Sequence, residues 1–397
     1  MSAPGTRNSA PGAAEFVVSL VGWDRMDSCR EEWKRLSRRA VEPNVFYDPD
    51  FALPAGAGLG LSGDLLALLV WREAGHGSGS ETRTLAGFFP FVPKRRWGVP
   101  MTVGEALIHP YAMSSAPLVD AAAVDDVLRA FLGWLNMARQ APAAWLFGFL
   151  PGDGTLHDRL WAMAERSDMA ARPYDGHERA VLDTGSLSGD YLGDALSGKA
   201  RKEYGRLRRR LGDHGNVTVT RATARSDVDA AMAEFLSLEA SGWKGQRGTA
   251  AALSAPVEAM FGDIGRGLGG GGEIRIDALR VDGRPIAMTV SCGRAESWWL
   301  WKIAYDEGFA AFSPGVLLVL HLTQNALNAN VRVRYDSCAL PGHPMIDRIW
   351  RQRRPYADLL LVPGRSRMKR GLAVRLESLR RTAEQRARDL RAFAARD

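Results

Sequence analysis

The chain has 397 residues, 46% hydrophobic and 24% charged, and at roughly 150 residues per domain it predicts two or three domains or one large decorated domain. This composition excludes a wholly disordered protein, and three cysteines without a CxxC pair exclude a disulfide framework and argue against structural zinc. The net charge of +7 comes from residues 365–397, which hold eleven basic and four acidic side chains. The other 41 basic and 41 acidic side chains of the chain cancel.

The first half of the chain predicts a mixed α/β unit that follows a disordered leader. Residues 1–14 contain one arginine and no apolar core, and no apolar run in the chain is long enough for a membrane span. We therefore expect a soluble, cytoplasmic protein. The predicted elements are strands at Glu15–Leu20, Asp64–Arg72, Thr84–Pro93 and Ala144–Phe149, and helices near Met26–Arg39 and Val124–Met137.

A change in composition at the middle of the chain predicts a joint between domains near 182–198. A Gly/Ser stretch at 184–189 precedes a basic segment, Lys199–Leu211, which has helical composition and is closed by Gly212. We interpret this segment as a solvated linker helix. The alternative is that its cations contact an anionic acceptor.

The second half predicts the same order of elements. The Asp282-Gly283 pair between two alternating runs is a strong signal for a hairpin. The tail from Met368 onward predicts a helix that packs one face and leaves its arginines in water; its apolar positions are Leu372, Leu376, Leu379, Ala383, Leu390 and Phe393. The other predicted elements are strands at Val217–Arg221, Glu273–Val281, Arg284–Cys292, Glu296–Asp306 and Val331–Asp336, and helices at Val228–Glu239 and Gly315–Leu327.

Two similar segments about 190 residues apart indicate an internal repeat. Leu150-Pro-Gly followed by Asp158-Arg-Leu-Trp resembles Leu340-Pro-Gly followed by Asp347-Arg-Ile-Trp, and each follows a predicted helix and strand. We therefore predict a tandem duplication of a mixed α/β unit. The predicted bounds are a leader at 1–14, a first unit at 15–182, a linker with the basic helix at 183–212, a second unit at 213–364 and a C-terminal helix at 365–397.

Glycine-rich and histidine patterns give no cofactor site by themselves. The segments Gly58–Gly63 and Gly265–Gly270 fit GxGxxG, but both lead into strands, whereas a dinucleotide site needs the start of a helix. We expect both to be flexible loops. The seven histidines show no spacing that suits metal ligands, so we expect no metal.

A candidate anion site lies at Ser313-Pro314-Gly315, between an aromatic strand and an apolar helix. Ser313 can cap the helix, Pro314 fits the first helical position, and Gly315 leaves the first backbone amides uncovered. The amides and dipole at a helix start favour anions. A capped helix that binds nothing is the alternative.

Five segments of the second half form a recognisable set: Leu207–Leu211, Phe235–Gly245, Tyr305–Gly315, Tyr335-Asp336 and Ile349-Trp350. Together they resemble the GNAT acyltransferase superfamily, in its CelD/BcsL-like branch (named for cellulose biosynthesis), which is related to the Fem-type transferases. The resemblance covers about 190–362 well and the front half weakly. The usual Gln/Arg-x-x-Gly-x-Gly/Ala signature of the superfamily is absent from the Tyr305–Gly315 segment, between the aromatic strand and the apolar helix.

The resemblance implies tandem GNAT-like units, of which the second binds acetyl-CoA or another acyl-CoA as co-substrate and the first is a degenerate copy. In such folds the strand before the helix splays from its neighbour, and pantetheine pairs with its free edge, here Trp299–Ala304. The pyrophosphate would lie on the first amides of the following helix. The implied donor-binding residues are Trp301, Lys302, Ile303, Ser313, Gly315, Val316 and Leu317.

The resemblance also implies a proton acceptor and a proton donor for transfer to an amine or hydroxyl. Asp336 is the preferred general base, with Glu239 and Asp306 as alternatives. Tyr305 or Tyr335 would protonate the leaving thiolate. Trp243 and Lys244 lie before two glycines and are expected on a loop that contacts the acceptor.

We therefore expect an acyl-CoA-dependent N- or O-acyltransferase, an acetyltransferase in the first instance, that acts on a small molecule, a sugar, a glycan or a lipid-linked intermediate. One alternative is a Fem-type transferase that uses aminoacyl-tRNA, and another is a non-catalytic scaffold in exopolysaccharide assembly. A third alternative is nucleic-acid binding through residues 365–397. The absence of net charge on the rest of the chain disfavours it. Peripheral membrane contact through this basic tail stays open.

Overall fold

The computed structural model describes residues 15–394 except 74–82, 188, 243, 244, 246 and 330. The predicted leader at 1–14 and the predicted acceptor-contacting residues Trp243 and Lys244 therefore lie outside the described residues. Within the described part of the chain, no helix combines the length and the apolar character that crossing a bilayer requires.

Thirteen strands are present among the described residues. Most of them coincide with a predicted strand, whereas β4, β5, β7 and β13 were not predicted. The strands are β1 (Glu15–Gly22), β2 (Leu66–Glu73), β3 (Arg83–Arg95), β4 (Thr102–Ala106), β5 (Leu118–Val119), β6 (Ala144–Pro151), β7 (Ala170–Asp183), β8 (Val217–Ala222), β9 (Ile274–Val281), β10 (Arg284–Arg294), β11 (Ser297–Tyr305), β12 (Arg334–Asp336) and β13 (Gln352–Val362).

The helices include the basic helix predicted in the middle of the chain and the predicted C-terminal helix. Short 3-10 turns occur at Trp23–Cys29, Val45–Tyr47, Thr184–Ser186, Ala251–Leu253 and Glu307–Phe312. The α-helices are α1 (Arg30–Arg39), α2 (Pro49–Gly58), α3 (Val124–Met137), α4 (Gly154–Arg166), α5 (Tyr191–Ala195), α6 (Gly198–Gly212), α7 (Arg225–Ser241), α8 (Ala255–Gly269), α9 (Pro314–Asn328), α10 (Ile346–Ile349) and α11 (Arg367–Ala394).

The chain forms two compact units that are not contiguous in sequence. Unit 1 consists of the described residues of Met1–Asn44, Gly63–Gly176 and Tyr356–Asp397, and unit 2 consists of Val45–Ser62 and the described residues of His177–Pro355. No pattern in the sequence indicated that Val45–Ser62, which contains α2, belongs with the second unit.

The two units have the same strand order. In unit 1, β1, β2, β3 and β4 are successively antiparallel, β6 is parallel to β4, and β13 is antiparallel to β6. In unit 2, β8, β9, β10 and β11 are successively antiparallel, β12 is parallel to β11, and β7 is antiparallel to β12. The predicted mixed α/β class and tandem organisation are confirmed. The last strand of each unit comes from the other half of the sequence.

The core of unit 1 forms where α3 covers its sheet. Val127, Phe131 and Leu135 recur every four residues on one face of α3 and are all buried. Phe131 stacks on Phe89 of β3 with ring centroids 4.3 Å apart, and its edge meets the Trp145 ring of β6. This period of four explains why the bounds of α3 could be predicted correctly.

The prediction of a flexible loop at Gly265–Gly270 is wrong, because most of this segment is the end of α8. Its glycines allow two other helices of unit 2 to approach. A Cβ at Gly265 would lie 3.4 Å from Val228 of α7, and one at Gly267 would lie 2.8 Å from the Asp50 Cβ of α2. These glycines therefore allow close packing between helices. The prediction considered only their local conformational freedom.

The C-terminal helix packs through a different face from the one predicted. Leu372 and Leu379 are 44% and 67% exposed, whereas Ala373, Glu377 and Arg381 are buried. Glu377 accepts hydrogen bonds from the side chains of Arg96 and Trp97 at 2.9 and 2.8 Å. Because these bonds compensate the burial of the carboxylate, a polar face can pack where an apolar face was expected.

Candidate functional site

The candidate site begins where β11 and β12 of unit 2 stop pairing. The parallel pairing is limited to three positions, of which Trp299 with Asp336 is the last. Strand β12 ends at Asp336, while β11 continues to Tyr305. Residues 300–305 therefore form a strand edge that β12 does not cover. The splayed strand that the resemblance implied is present in the structure.

A β-bulge lies in β11 at the start of this open edge. In the pairing with β10, Val290 lies opposite Lys302 and Ser291 lies opposite Leu300, so that Trp301 is the extra residue. The Trp301 ring packs against the rings of Phe51 and Phe261, whose centroids lie 5.1 and 4.8 Å from its own. A bulge increases local twist, which favours the divergence of β11 from β12.

The divergence opens a cavity of about 760 Å³, which lies entirely within unit 2. Its size falls in the range of small-molecule and cofactor sites. One wall is the open edge of β11, another is the first turn of α9, and a third is the loop after β12. The lining residues are Leu238, Glu239, Gly242, Leu300–Tyr305, Ala310, Ser313–Val316 and Ser337–Ile346.

The first turn of α9 presents backbone donors to the cavity. Ser313 precedes the helix in a left-handed conformation (φ 50°, ψ 53°), and Pro314 is the first helical residue. The Leu317 N–H donates to the Ser313 carbonyl at 3.1 Å, so the donors without an intrahelical acceptor at this end are those of Gly315 and Val316. With the helix dipole, these two groups favour a bound anion.

Gly315 is a buried residue in the wall of the cavity, at the start of α9. A Cβ built on Gly315 would meet the Ile303 side chain at 3.4 Å and Tyr305 at 3.9 Å, both of β11. Larger side chains at this position would project among groups that line the cavity. The glycine therefore sets how closely a ligand can approach the Gly315 and Val316 amides.

Glu239 is the one carboxylate among the described residues that line the cavity. It lies near the end of α7 and is 5% exposed. Its Oε2 accepts a hydrogen bond from the Ala251 N–H at 3.0 Å, which fixes the carboxylate at the wall. Glu239 is thus placed to exchange a proton with a molecule in the cavity.

Asp336 lies at the vertex between β11 and β12 and does not line the cavity. It is 5% exposed, and its Oδ1 accepts the Cys338 N–H at 2.7 Å and lies 3.9 Å from Nη1 of buried Arg179. A carboxylate that accepts the N–H two residues ahead forms an Asx turn. Asp336 therefore holds the bend by which the chain leaves β12.

Two other candidates are engaged away from the cavity. The Tyr335 hydroxyl accepts a hydrogen bond from Arg275 at 2.9 Å, and its ring packs near Trp298 and Trp350. Asp306 accepts the Gly308 N–H at 2.8 Å and also pairs with Arg284. Both side chains therefore have structural partners, and neither lines the cavity.

Two lining residues carry titratable side chains that the sequence analysis did not single out. Burial raises the pKa of the Cys338 thiol well above its usual value, and the negative charge of Asp336 raises it further. His343 accepts the N–H groups of Met345 and Ile346 at Nδ1, each at 3.4 Å. Both residues lie in an irregular loop, where no periodic pattern marks which side chains face inward.

The structure brings together most of the predicted donor-site residues. Tyr305 also lines the cavity and is 36% exposed. Leu317 and Asp336 do not line it, and Trp243 and Lys244 lie outside the described residues. The predicted donor-site residues that line the cavity are Trp301, Lys302, Ile303, Ser313, Gly315 and Val316.

Residues 198–342 match the family model described as the acetyltransferase (GNAT) domain. The match runs from α6 to the loop after β12 and includes most of the cavity wall. It supports an acyltransferase, and the family implies an acyl-CoA co-substrate. No curated protein matches the sequence.

Solved structures with a similar fold include two kinds of protein. The C-terminal domain of a putative lysylphosphatidylglycerol synthetase from Agrobacterium fabrum is 13% identical with a TM-score of 0.51, over 89% of this chain and 96% of that chain. FemX is 10% identical with a TM-score of 0.50, over 84% of this chain and 96% of that chain. At these identities the likeness concerns the fold alone.

Proposed function

We propose that this chain transfers an acyl group, acetyl in the first instance, from coenzyme A to an amine or hydroxyl of a small-molecule acceptor. The observation that carries the proposal is the cavity of about 760 Å³ between the open edge of β11 and the first turn of α9. It combines an unpaired strand edge with helix-terminal amides, which suits a ligand with an amide-containing arm and an anionic end.

The donor would lie along β11 with its anionic end at α9. Pantetheine contains two amides, which can pair with the free backbone groups of residues 300–305 as an added strand does. The pyrophosphate would accept hydrogen bonds from the N–H groups of Gly315 and Val316, where the helix dipole adds a further attraction. This binding mode needs no side chain of a particular kind, in keeping with a site built mainly from backbone groups.

Transfer would proceed by direct attack of the acceptor on the thioester. The acceptor nitrogen or oxygen forms a bond to the carbonyl carbon, while a backbone N–H of β11 stabilises the oxyanion. Collapse of this intermediate breaks the carbon–sulfur bond and releases the thiolate of coenzyme A. We assign the acceptor's proton to Glu239, because its carboxylate lines the cavity, and we assign the thiolate's new proton to the Tyr305 hydroxyl.

We also place the chain in the CelD/BcsL-like branch of the superfamily. The segments that support this placement are Leu207–Leu211, which lies in α6, and Tyr305–Gly315, which joins β11 to α9. In the structure the two segments are neighbours: Arg210 lies over the Phe312 ring at 5.7 Å, and Leu211 shares a core cluster with Phe312. The branch motifs thus meet directly beside the start of α9.

Calorimetric titration of the full chain tests the proposal. We expect acetyl-CoA and coenzyme A to bind with one site per chain, and aminoacyl-tRNA to give no saturable binding. With acetyl-CoA bound, a panel of amine and hydroxyl compounds is then screened for release of the free thiol. Absence of coenzyme A binding would overturn the proposal, and saturable binding of aminoacyl-tRNA would favour a Fem-type transferase instead.

A further inference from the structure

The outward face of α11 exposes three large apolar side chains, although this helix belongs to a strongly basic segment of the chain. Met368, Leu372 and Leu379 are 80%, 44% and 67% exposed. Four and seven residues separate them along a helix with 3.6 residues per turn, which places all three within about 40° of each other. We call these three side chains the exposed stripe.

The packing of α11 on unit 1 fixes the direction of the exposed stripe. Ala373, Glu377 and Arg381 follow one another at intervals of four residues, on the side of the helix away from Leu372, and all three are buried. Glu377 bonds Arg96 at 2.9 Å and Arg381 at 2.6 Å. Rotating the stripe inward would break these buried ion pairs, so the fold itself presents the apolar side chains outward.

Exposed cations lie both beside the exposed stripe and within it. They are Arg367, Lys369, Arg375 and Arg386, all of which are exposed. At 3.6 residues per turn, Arg367 and Lys369 lie about 100° to either side of Met368, whereas Arg375 and Arg386 lie on the same side of the helix as the stripe. Glu377 is fully buried in its ion pairs and Arg381 is buried with it, so the exposed acidic side chains among the described ones of α11 are Glu384 and Asp389. The surface that α11 offers to a partner is therefore both apolar and strongly positive.

We propose that α11 lies on an anionic lipid membrane. A helix that exposes apolar side chains among cations binds at the interface, where the apolar side chains enter the boundary of the acyl chains and the cations meet lipid phosphates. A nucleic acid would match the cations but offers no apolar surface to Met368, Leu372 and Leu379. A second copy of the chain would bring another helix of the same charge against this one. This inference does not depend on the proposed acyltransferase function.

Vesicle sedimentation of the full chain tests the membrane proposal. We expect binding to phosphatidylcholine vesicles that contain phosphatidylglycerol to exceed binding to pure phosphatidylcholine vesicles by about tenfold or more, and to weaken with added salt. In the double variant Leu372→Ser, Leu379→Ser, the partition onto anionic vesicles should fall about tenfold, because the charge is unchanged and the apolar contact is lost. Both positions are exposed, so the variant should keep its melting temperature.

The matched control is Leu253→Ser, which changes a leucine that is 59% exposed in unit 2 and should bind vesicles as the wild type does. Equal binding by the double variant and the wild type would overturn the proposal, because the attraction would then be purely electrostatic, as for a nucleic acid. Failure of the wild type to bind anionic vesicles at low salt would also overturn it. A wild-type dimer in analytical ultracentrifugation that dissociates in the double variant would show that a second copy covers the stripe.

Discussion

Trp299 and Asp336 form the last pair between β11 and β12, and the cavity begins directly beyond them. The Asp336 carboxylate accepts the Cys338 N–H at 2.7 Å and thereby turns the chain away from β11. On the other side, the bulge at Trp301 adds twist to β11. The turn after β12 and the bulge in β11 therefore both contribute to the divergence that opens the cavity.

Substitution of Gly315 tests the placement of the anionic end of the donor. We expect Gly315→Glu to weaken coenzyme A binding by at least about tenfold relative to Gly315→Gln, which equals about 1.4 kcal/mol, because only the first carries a negative charge beside the amides. Calorimetry of both variants measures the difference, and Gly315→Ala controls for the added Cβ. Equal affinities of the Glu and Gln variants would remove the pyrophosphate from this position.

Glu239→Gln tests the proton acceptor. Gln keeps the size of the side chain and an oxygen that can accept the Ala251 N–H, but it cannot take a proton from the acceptor. We expect kcat to fall by a factor of about 10²–10⁴, while calorimetry shows unchanged affinity for coenzyme A.

Asp336→Asn is the comparison variant for Glu239→Gln. Asn can still accept the Cys338 N–H, but it leaves the buried Arg179 without its nearby negative charge. We therefore expect lower stability, by roughly 1–3 kcal/mol, with kcat of the folded protein largely retained. Loss of kcat in Asp336→Asn together with full activity of Glu239→Gln would restore Asp336 as the base.

Cys338 is expected to take no covalent part in transfer. Burial and the neighbouring charge of Asp336 raise the pKa of its thiol well above the usual value, so the nucleophilic thiolate is scarce at neutral pH. Cys338 has a φ of 56°, so we choose Cys338→Gly, which removes the thiol in a conformation that glycine adopts easily. We expect kcat within about threefold of the wild type and no acyl-protein adduct by mass spectrometry. An adduct on Cys338 would contradict direct transfer.

The ion pairs of Glu377 predict how acid affects unit 1. Burial opposes ionisation of this carboxyl, but hydrogen bonds from Arg96 and Trp97 and the charge of Arg96 outweigh it and lower its pKa from 4.5 to about 2. A lowered pKa contributes stability that is complete above the unfolded value of 4.5 and is lost as the pH falls towards 2. This contribution is on the order of 3 kcal/mol.

Urea unfolding of Glu377→Gln measures this contribution. We expect a loss of free energy of unfolding of this order at neutral pH, and a flatter pH dependence in the acid range than the wild type shows. Glu384→Gln is the control, because Glu384 is an exposed side chain that pairs with Arg380 and should change the free energy of unfolding by less than about 1 kcal/mol. Equal effects of the two variants would contradict the assignment.

The sequence by itself determined the α/β class, the repeat and most secondary structure, because these follow from local periodicity. The period of four in α3 and the Asp282-Gly283 turn between β9 and β10 specify their elements without reference to the rest of the chain. The motif Ser313-Pro314-Gly315 likewise specifies the start of a helix, which begins at Pro314. Most of the residues that the sequence analysis assigned to the donor side therefore line one cavity, and their role in binding stays a prediction.

Tertiary structure alone decided which carboxylate faces the cavity, which face of α11 packs, and where α2 belongs. Glu239 lies at the cavity wall and Asp336 at the vertex because of the way α7 and the loop after β12 pack around β11, and no sequence pattern encodes those distances. The leucines of α11 were expected inside by periodicity, but buried ion pairs of Glu377 with Arg96 and Arg381 outweigh that preference. Contacts between residues distant in sequence settle such choices, and local patterns carry no information about them.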